Sequence, residues 1–408
     1  TDPTTPLFAS NVELPVSAND IAVRDDYAYM GNNGFRVFDV SDKSHPVQVG
    51  YDETDGALVK LHGNYAVLCP KSMGSSNRIN IMDVSDPENP EKLAHVTAPY
   101  MTYDLDIKGT YAYVACWWDG IRVVNFSDPE APAWGSHVMG WVNGATPGEE
   151  WLYCQALDVS GDYLFAVDYG PFPDEDTRGL YVFDISDPAT PVLLKRFPDY
   201  QGTAYDIEVS NGYAYIADAD GGLSIVSVQD PLAPIQASYL ALPDVAWAVD
   251  IFGNHAFVAN YINGGVQVID ISLPEMPVVE GYYKRSGCFA LNVTYHAGHA
   301  FVADGPAGMQ IYNFDLLDHA QDHRVSGSFM TVFPNPATNA LTIRGIERQG
   351  PAELTLFDIS GKSIVDLPVP YNGVQSQARI NVSELPRGIY LLKVTNGKTE
   401  EYRKIILQ

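Results

Sequence analysis

Three sets of residues in this 408-residue chain have types and spacing suited to chemistry. The first is acidic. Asp168, Asp174 and Glu175 lie within ten residues of Arg178, and Lys71 and Arg285 supply cations elsewhere in the sequence. Carboxylates give and take protons while a cation stabilises developing negative charge, so this set would serve a hydrolase or lyase. The second is aromatic: Trp117, Trp118, Trp141, Trp151, Tyr169, Trp247 and Tyr261. Flat rings at a wet rim stack on a sugar or an aromatic partner while their polar edges stay solvated, which suits binding of an extracellular glycan or protein. The third is Cys116 and Cys154, placed so that an oxidising exterior would join them in a disulfide. Cys69 and Cys288 are expected to stay unpaired. No Cys-x-x-Cys, His-Glu-x-x-His, Gly-x-Ser-x-Gly or phosphate loop occurs, so no metal site and no cofactor are assigned. A ring of inner aspartates leaves room for a structural cation.

The elements that position these residues follow from a repeat. One phrase recurs: a short strand with Asp-Ile or its equivalent, a Gly/Asn turn, Tyr-Ala-Tyr-Val/Ile-Ala, a loop, then Gly-Leu-x-Val-Ile-Asp-Ile-Ser-Asp-Pro-x-x-Pro. Aligned on its first column it yields Asp20, Val59, Asp106, Asp158, Asp206, Asp250 and Asn292, spaced by 39, 47, 52, 48, 44 and 42 residues. Alternating β-branched and aromatic residues between turn signals read as strands, and four strands in about 45 residues is the size of a propeller blade. The seventh copy stops after Asp315, and Thr1 to Ala9 matches the Ser186-Asp187-Pro188 turn and the strand after it. The N-terminus is therefore expected to add the outer strand of the last blade beside Ile311, closing the ring and removing an open edge.

A residue present in every blade usually serves the blade. The inner Asp column, and residues of the Asp184 and Asp270 kind, are thus expected to brace turns and neighbouring strands, and His255 and His299, standing where other copies have Tyr, to pack. Departures from the repeat fall on one face: the loops Pro70 to Arg78 and Asp168 to Arg178, and an insertion from Ala133 to Gln155. Those loops carry Trp141, Trp151, Tyr169 and the acidic candidates, and Trp117, Trp118, Trp247 and Tyr261 are expected on the same face.

The strands Leu180 to Asp184 and Val266 to Asp270 resemble the signature of the LVIVD-repeat family, over about residues 1–316. The resemblance implies an exported bacterial or archaeal protein and carries no established catalytic mechanism. A polar linker at 317–325 precedes a second β-rich unit, 326–408, expected to be a small Ig-like sandwich. Its Pro334-Asn335-Pro336, Asp358-Ile359-Ser360-Gly361-Lys362, Leu385-Pro386-Arg387-Gly388-Ile389-Tyr390 and terminal Lys404-Ile405-Ile406-Leu407 resemble the type IX secretion sorting domain of Bacteroidetes. That implies passage across the outer membrane by the type IX machinery, then release or attachment at the surface. The fold expected is all-β: a seven-bladed propeller closed by an N-terminal strand, then the sandwich.

Charge narrows the partners. Residues 326–408 hold nine Lys/Arg and seven Asp/Glu, so the formal −27 belongs to the first unit. Such a surface repels phosphate backbones, which excludes nucleic acid and permits cations or basic partners. No apolar run reaches the roughly 18 residues a membrane span needs, and any export signal is expected to have been removed or to lie outside this sequence. The reading is a secreted or surface-attached propeller that binds an extracellular glycan or protein; the alternative is a secreted hydrolase or lyase on the same face.

Overall fold

The computed structural model describes residues 7–14, 17–31, 34–71, 77–98, 101–138, 152–169, 178–197, 203–218, 222–261, 265–283, 289–314, 331–333, 340–346, 352–358, 362–369, 376–383, 385–396 and 399–407. The chain divides into two compact units, residues 1–315 and 316–408.

In the first unit each repeat folds into a four-stranded antiparallel sheet, seven sheets in all. The inner strands are Asp20–Arg24, Leu58–His62, Asp104–Lys108, Cys154–Ser160, Ala204–Ser210, Ala246–Phe252 and Asn292–His296. Tight turns join each to the second strand. At Asn211-Gly212 both residues have positive φ, 51° and 78°, the conformation a two-residue hairpin demands.

The second strand is buried on both faces because blades pack on either side of it. In blade two (Tyr65–Cys69), Ala66 and Leu68 join Tyr29, Phe35 and Val37 of blade one, while Val67 and Cys69 join Leu105 and Val114 of blade three. Full burial of a Val or Leu contributes about 1.5–3 kcal/mol, and the same two-sided packing recurs in blades three to five.

The turn chemistry also follows the sequence. Ser186 N donates to Asp184 Oδ1 at 2.7 Å, Ala189 N to Asp187 Oδ1 at 3.1 Å and Ser272 N to Asp270 Oδ1 at 2.8 Å, which brace the bend into the outer strand. The insertion begins later than expected, since Ala133–Val138 is the outer strand of blade three, paired with Ile121–Asn125.

The ring closes through the chain start. Leu7–Val12 pairs antiparallel with Met309–Asn313, matching Leu7 to Asn313, Ser10 to Ile311 and Val12 to Met309. Gly308 permits this approach: its φ is +79°, and a Cβ there would lie 2.0 Å from the Val12 carbonyl oxygen.

The second unit has a three-stranded sheet (Thr331–Phe333, Ala340–Ile346, Ser376–Asn381) and a four-stranded sheet (Ser363–Val369, Ala352–Asp358, Gly388–Asn396, Thr399–Leu407). Leu341, Ile343 and Ile380 of the first meet Leu354, Leu356, Leu392 and Ile405 of the second in one core, so the two pack as a sandwich. The Tyr390 hydroxyl donates to the Pro386 carbonyl at 2.8 Å, pinning the Leu-Pro-Arg-Gly-Ile-Tyr phrase at the entrance to its strand.

Candidate functional site

Side chains alternate along a strand, so only every second inner-strand residue faces the ring axis. Counted back from the hairpins, the residues four before the turn are Asp20, Leu58, Asp104, Ala156, Asp206, Ala248 and Asn292. Those two before it are Ala22, Lys60, Asp106, Asp158, Glu208, Asp250 and Thr294. The single column expected from sequence therefore merges two tiers. Asp20 and Asp206 belong to the upper one, and Asp106, Asp158 and Asp250 to the lower. Val59 belongs to neither, because it packs in the seam with blade one, and Lys60 is the blade-two member.

These carboxylates strap neighbouring blades. Asp20 Oδ2 accepts from Val59 N (2.7 Å), Asp104 Oδ2 from Leu157 N (2.9 Å), Asp106 Oδ2 from Val159 N (2.8 Å) and Asp158 Oδ2 from Val209 N (3.0 Å). Asp206 Oδ2 accepts from Val249 N (2.8 Å), Glu208 Oε2 from Ile251 N (3.1 Å) and Asp250 Oδ2 from Tyr295 N (2.5 Å). Thr294 Oγ1 donates to the Ile21 carbonyl at 3.0 Å and links blade seven to blade one.

Charge is concentrated where water is scarce. Burial raises the Asp206 carboxyl to about 8, Asp158 to about 7, and Asp104 and Asp250 to about 6. It also lifts Asp20, and Glu208 well above the usual carboxylate range. Burial alone would lower the Lys60 ammonium, but Asp106, Asp104, Asp20 and Asp158 outweigh it and hold the charged form. Several of these groups line a cavity of about 310 Å³ along the axis.

The cavity opens on the face of the unequal loops into a mouth of about 380 Å³, with Asn19, Lys71, Tyr103, Trp247 and Leu291 lining both parts. Around it runs an arc of rings. Tyr169 meets Tyr205 edge-on at 5.9 Å between centroids, and Tyr205 stacks on Trp247 at 4.2 Å. Trp247 stacks on Tyr261 at 4.4 Å, and Tyr261 meets Phe289 at 5.3 Å. On the blade-three side Trp117 sits 5.8 Å from Tyr103 and 4.6 Å from Trp118. Trp117 has φ +52°, a left-handed conformation costing a side chain about 1–2 kcal/mol, and backbone bonds both ways with Cys154 hold it there.

Of the aromatic candidates, Trp247 and Tyr261 line the mouth, Trp117 and Tyr169 meet the rings of Tyr103 and Tyr205, and Trp118 is exposed beside Trp117; Trp141 and Trp151 lie outside the described residues. Lys71 holds Nζ 6.0 Å from the Trp247 ring centroid. Asp168 is fully buried and accepts from Tyr153 N at 2.7 Å, and Arg178 is exposed. Asp174, Glu175 and Arg285 fall outside the described residues.

The expected Cys116–Cys154 disulfide is absent: both thiols, like Cys69, are free and buried. The physical reason is register. Trp117, and not Cys116, lies opposite Cys154, so Cys116 packs into the seam of blades two and three while Cys154 packs into that of blades three and four. Burial pushes all three thiols up and keeps them protonated.

Tyr103, Tyr205, Phe289 and Lys60 were not among the sequence candidates. For the first two a signal existed, because each directly precedes an inner-strand aspartate, as Trp247 precedes the equivalent Ala248. Among the described residues no group of three His, Cys, Asp or Glu side chains is arranged to hold a metal ion, and no helix is long and apolar enough to cross a membrane.

Comparison with known proteins places this geometry. Residues 16–54, 101–139, 153–199, 201–239 and 245–284 match the LVIVD repeat, together half of the chain, and residues 331–408 match the secretion system C-terminal sorting domain. Blades two and seven lie outside the matched stretches yet have the same four strands. No curated protein matches the chain. The fold is similar to the β-propeller domain of Cps50 (Swd1) from Myceliophteria thermophila (TM-score 0.59, 10% identity, 74% of this chain and 99% of that one). It is also similar to the WD40 β-propeller domain of Doa1 (0.55, 10%, 76% and 97%) and to the computationally designed protein Ika8 (0.54, 11%, 76% and 100%). At such identities the likeness concerns the fold alone.

Proposed function

This chain belongs to the LVIVD-repeat family and carries a secretion system C-terminal sorting domain, which marks it for export by the type IX machinery; from that premise we propose that the propeller binds a small extracellular ligand at the mouth of its central channel. The observation that carries this reading is the continuous arc Tyr169, Tyr205, Trp247, Tyr261 and Phe289, of which all but Tyr169 line the channel or its mouth. The rings come from four blades and break the repeat, as a site on a symmetric scaffold must. Their edges and the neighbouring carboxylates suit a compact polar ligand with an apolar face, such as a sugar unit at the end of a glycan. The protein works outside the cell or attached to its surface.

Support for acid/base catalysis is thinner. Asp168 accepts from the Tyr153 amide, is fully buried and is not among the residues lining the mouth.

The reading is tested with the full chain against panels of glycans, peptides and small molecules, alongside Trp247→Ala and Tyr261→Ala. A ligand is expected whose affinity falls about tenfold in each variant, the usual scale for a buried aromatic contact. No bound ligand in any panel, or affinity unchanged in both variants, overturns it.

A further inference from the structure

The geometry points to a small organic ammonium ion as the ligand class of the channel mouth, its cationic end against the Trp247 ring and above the carboxylates of the inner strands. This rests on the mouth being the binding site and specifies what enters it.

The chain's own ammonium groups display the chemistry at two depths. Lys71 follows the second strand of blade two, yet its Nζ lies 6.0 Å from the centroid of Trp247 in blade six. Blades two and six are not neighbours in a ring of seven, so the side chain spans the opening to make this contact. An indole face attracts a cation through its quadrupole, more strongly as water is excluded, and ammonium ligands are recognised by such rings. Deeper in, Lys60 is held charged by Asp106, Asp104, Asp20 and Asp158. That one lysine is outnumbered, because Asp206, Glu208 and Asp250 stand around the same channel.

Two further features favour a ligand over a purely structural ring. Asn292 Oδ1, in the wall contributed by blade seven, is buried and without a hydrogen-bond partner, an acceptor suited to a ligand N–H or O–H. Ala22 and Ala248 stand at tier positions where other blades carry longer side chains, and they leave volume at those points. The cavity of about 310 Å³ matches a small molecule. A metal ion is less suited: the strapping bonds commit an oxygen of each carboxylate, and no group of three ligands is arranged for coordination among the described residues. An ammonium ion needs only a negative field and an aromatic face.

Protons set the charge of this floor. Burial holds Asp206 at about 8, Asp158 at about 7, and Asp104 and Asp250 at about 6. Blade one contributes Asp20, whose carboxyl is also raised, and blade five adds Glu208, raised well above its ordinary range. Blade three adds Asp106, and blade two adds the cations Lys60 and Lys71. Blade seven faces the channel with Asn292 and Thr294, which do not titrate. An entering cation favours the ionised carboxylates, so a proton leaves to solvent as the positive charge arrives. Raising the pH from 6 to 8 removes those protons beforehand and tightens binding.

The test is calorimetric titration of the full chain with choline, whose charge is fixed, with spermidine, and with 3,3-dimethylbutan-1-ol, the neutral isostere of choline. At least one ammonium compound is expected to bind about tenfold or more tighter than the neutral alcohol, to bind more tightly at pH 8 than at pH 6, and to release protons. Choline alone would identify a quaternary ammonium site, spermidine alone a primary amine site. Lys71→Ala removes the resident competitor without touching the packed strands and is expected to tighten ammonium binding by about two- to fivefold. Equal affinity for choline and the alcohol, with no gain from spermidine, overturns the inference. So does ammonium binding that ignores both pH and Lys71→Ala. If ammonium compounds fail while a neutral glycan binds with loss in Trp247→Ala, this inference falls and the mouth remains the binding site; if nothing binds, both fall.

Discussion

Asp206 shows how one side chain carries two loads. Its Oδ2 accepts from Val249 N in the next blade and its Oδ1 from Ile207 N in its own strand, while burial holds its carboxyl at about 8. A carboxyl whose folded pKa exceeds its unfolded value binds more protons in the native state, so the stability it contributes is present at low pH and lost as pH rises through the folded value. With Asp158 at about 7 acting in the same sense, the propeller is expected to lose thermal stability between about pH 5 and pH 8. Asp206→Asn keeps an acceptor for Val249 N and removes the titration. Its stability is expected to exceed that of the parent at pH 8 by on the order of 1 kcal/mol, read as a higher melting temperature, and to match it near pH 5. Calorimetric scans of both proteins across that range check this, and a parent whose stability rises over the same interval contradicts it.

Strands are tied to one another by different means at different places. Within a blade the ladder suffices, whereas from blades one, three, four, five and six a carboxylate reaches across to an amide of the next inner strand. Asp20→Ala leaves Val59 N without its acceptor and is expected to cost about 1–3 kcal/mol, while Asp20→Asn should recover most of it; urea unfolding of the pair reads the difference. The closing strand depends on a glycine instead. Gly308→Ala would set a Cβ against the Val12 carbonyl, in a residue whose φ of +79° already disfavours a side chain. Hydrogen exchange is expected to show the amides of Met309–Asn313 losing protection in this variant while those of blade four keep theirs. Uniform protection in both would mean that the first strand is not the lock on the ring.

At the scale of the whole molecule, core and address are separate. Among the described residues, the core built from Leu341, Leu354, Leu392 and Ile405 draws on the second unit and the blade seams draw on the first. A chain ending at Asp315 is therefore expected to fold with the propeller's melting temperature within a few degrees of its value in the full chain, yet to stay behind the outer membrane when expressed in a host with type IX secretion. Fractionation and thermal scans check the two halves of that expectation. A propeller that no longer folds after truncation would refute the independence of the cores.

Much of this protein is readable in its sequence. Seven copies of one phrase, each with alternating apolar residues and fixed turn chemistry, dictate seven like sheets, because period-two patterning and Asp-Pro turns act locally. The missing last strand and its match at Thr1 to Ala9 likewise required the ring to close, and the sorting unit was legible from its phrases in order. Tertiary structure decided what depends on distance across the ring. It resolved one apparent Asp column into two tiers, because residues two apart on a strand face the same way at different heights, while a shift of one residue, which turns a side chain to the other face, puts Lys60 in the channel and Val59 in a seam. It separated Cys116 from Cys154 for the same reason. It also brought Tyr205, Trp247 and Tyr261 into one stack and carried Lys71 from blade two to blade six, contacts between positions that sequence spacing cannot relate because closure about an axis creates them.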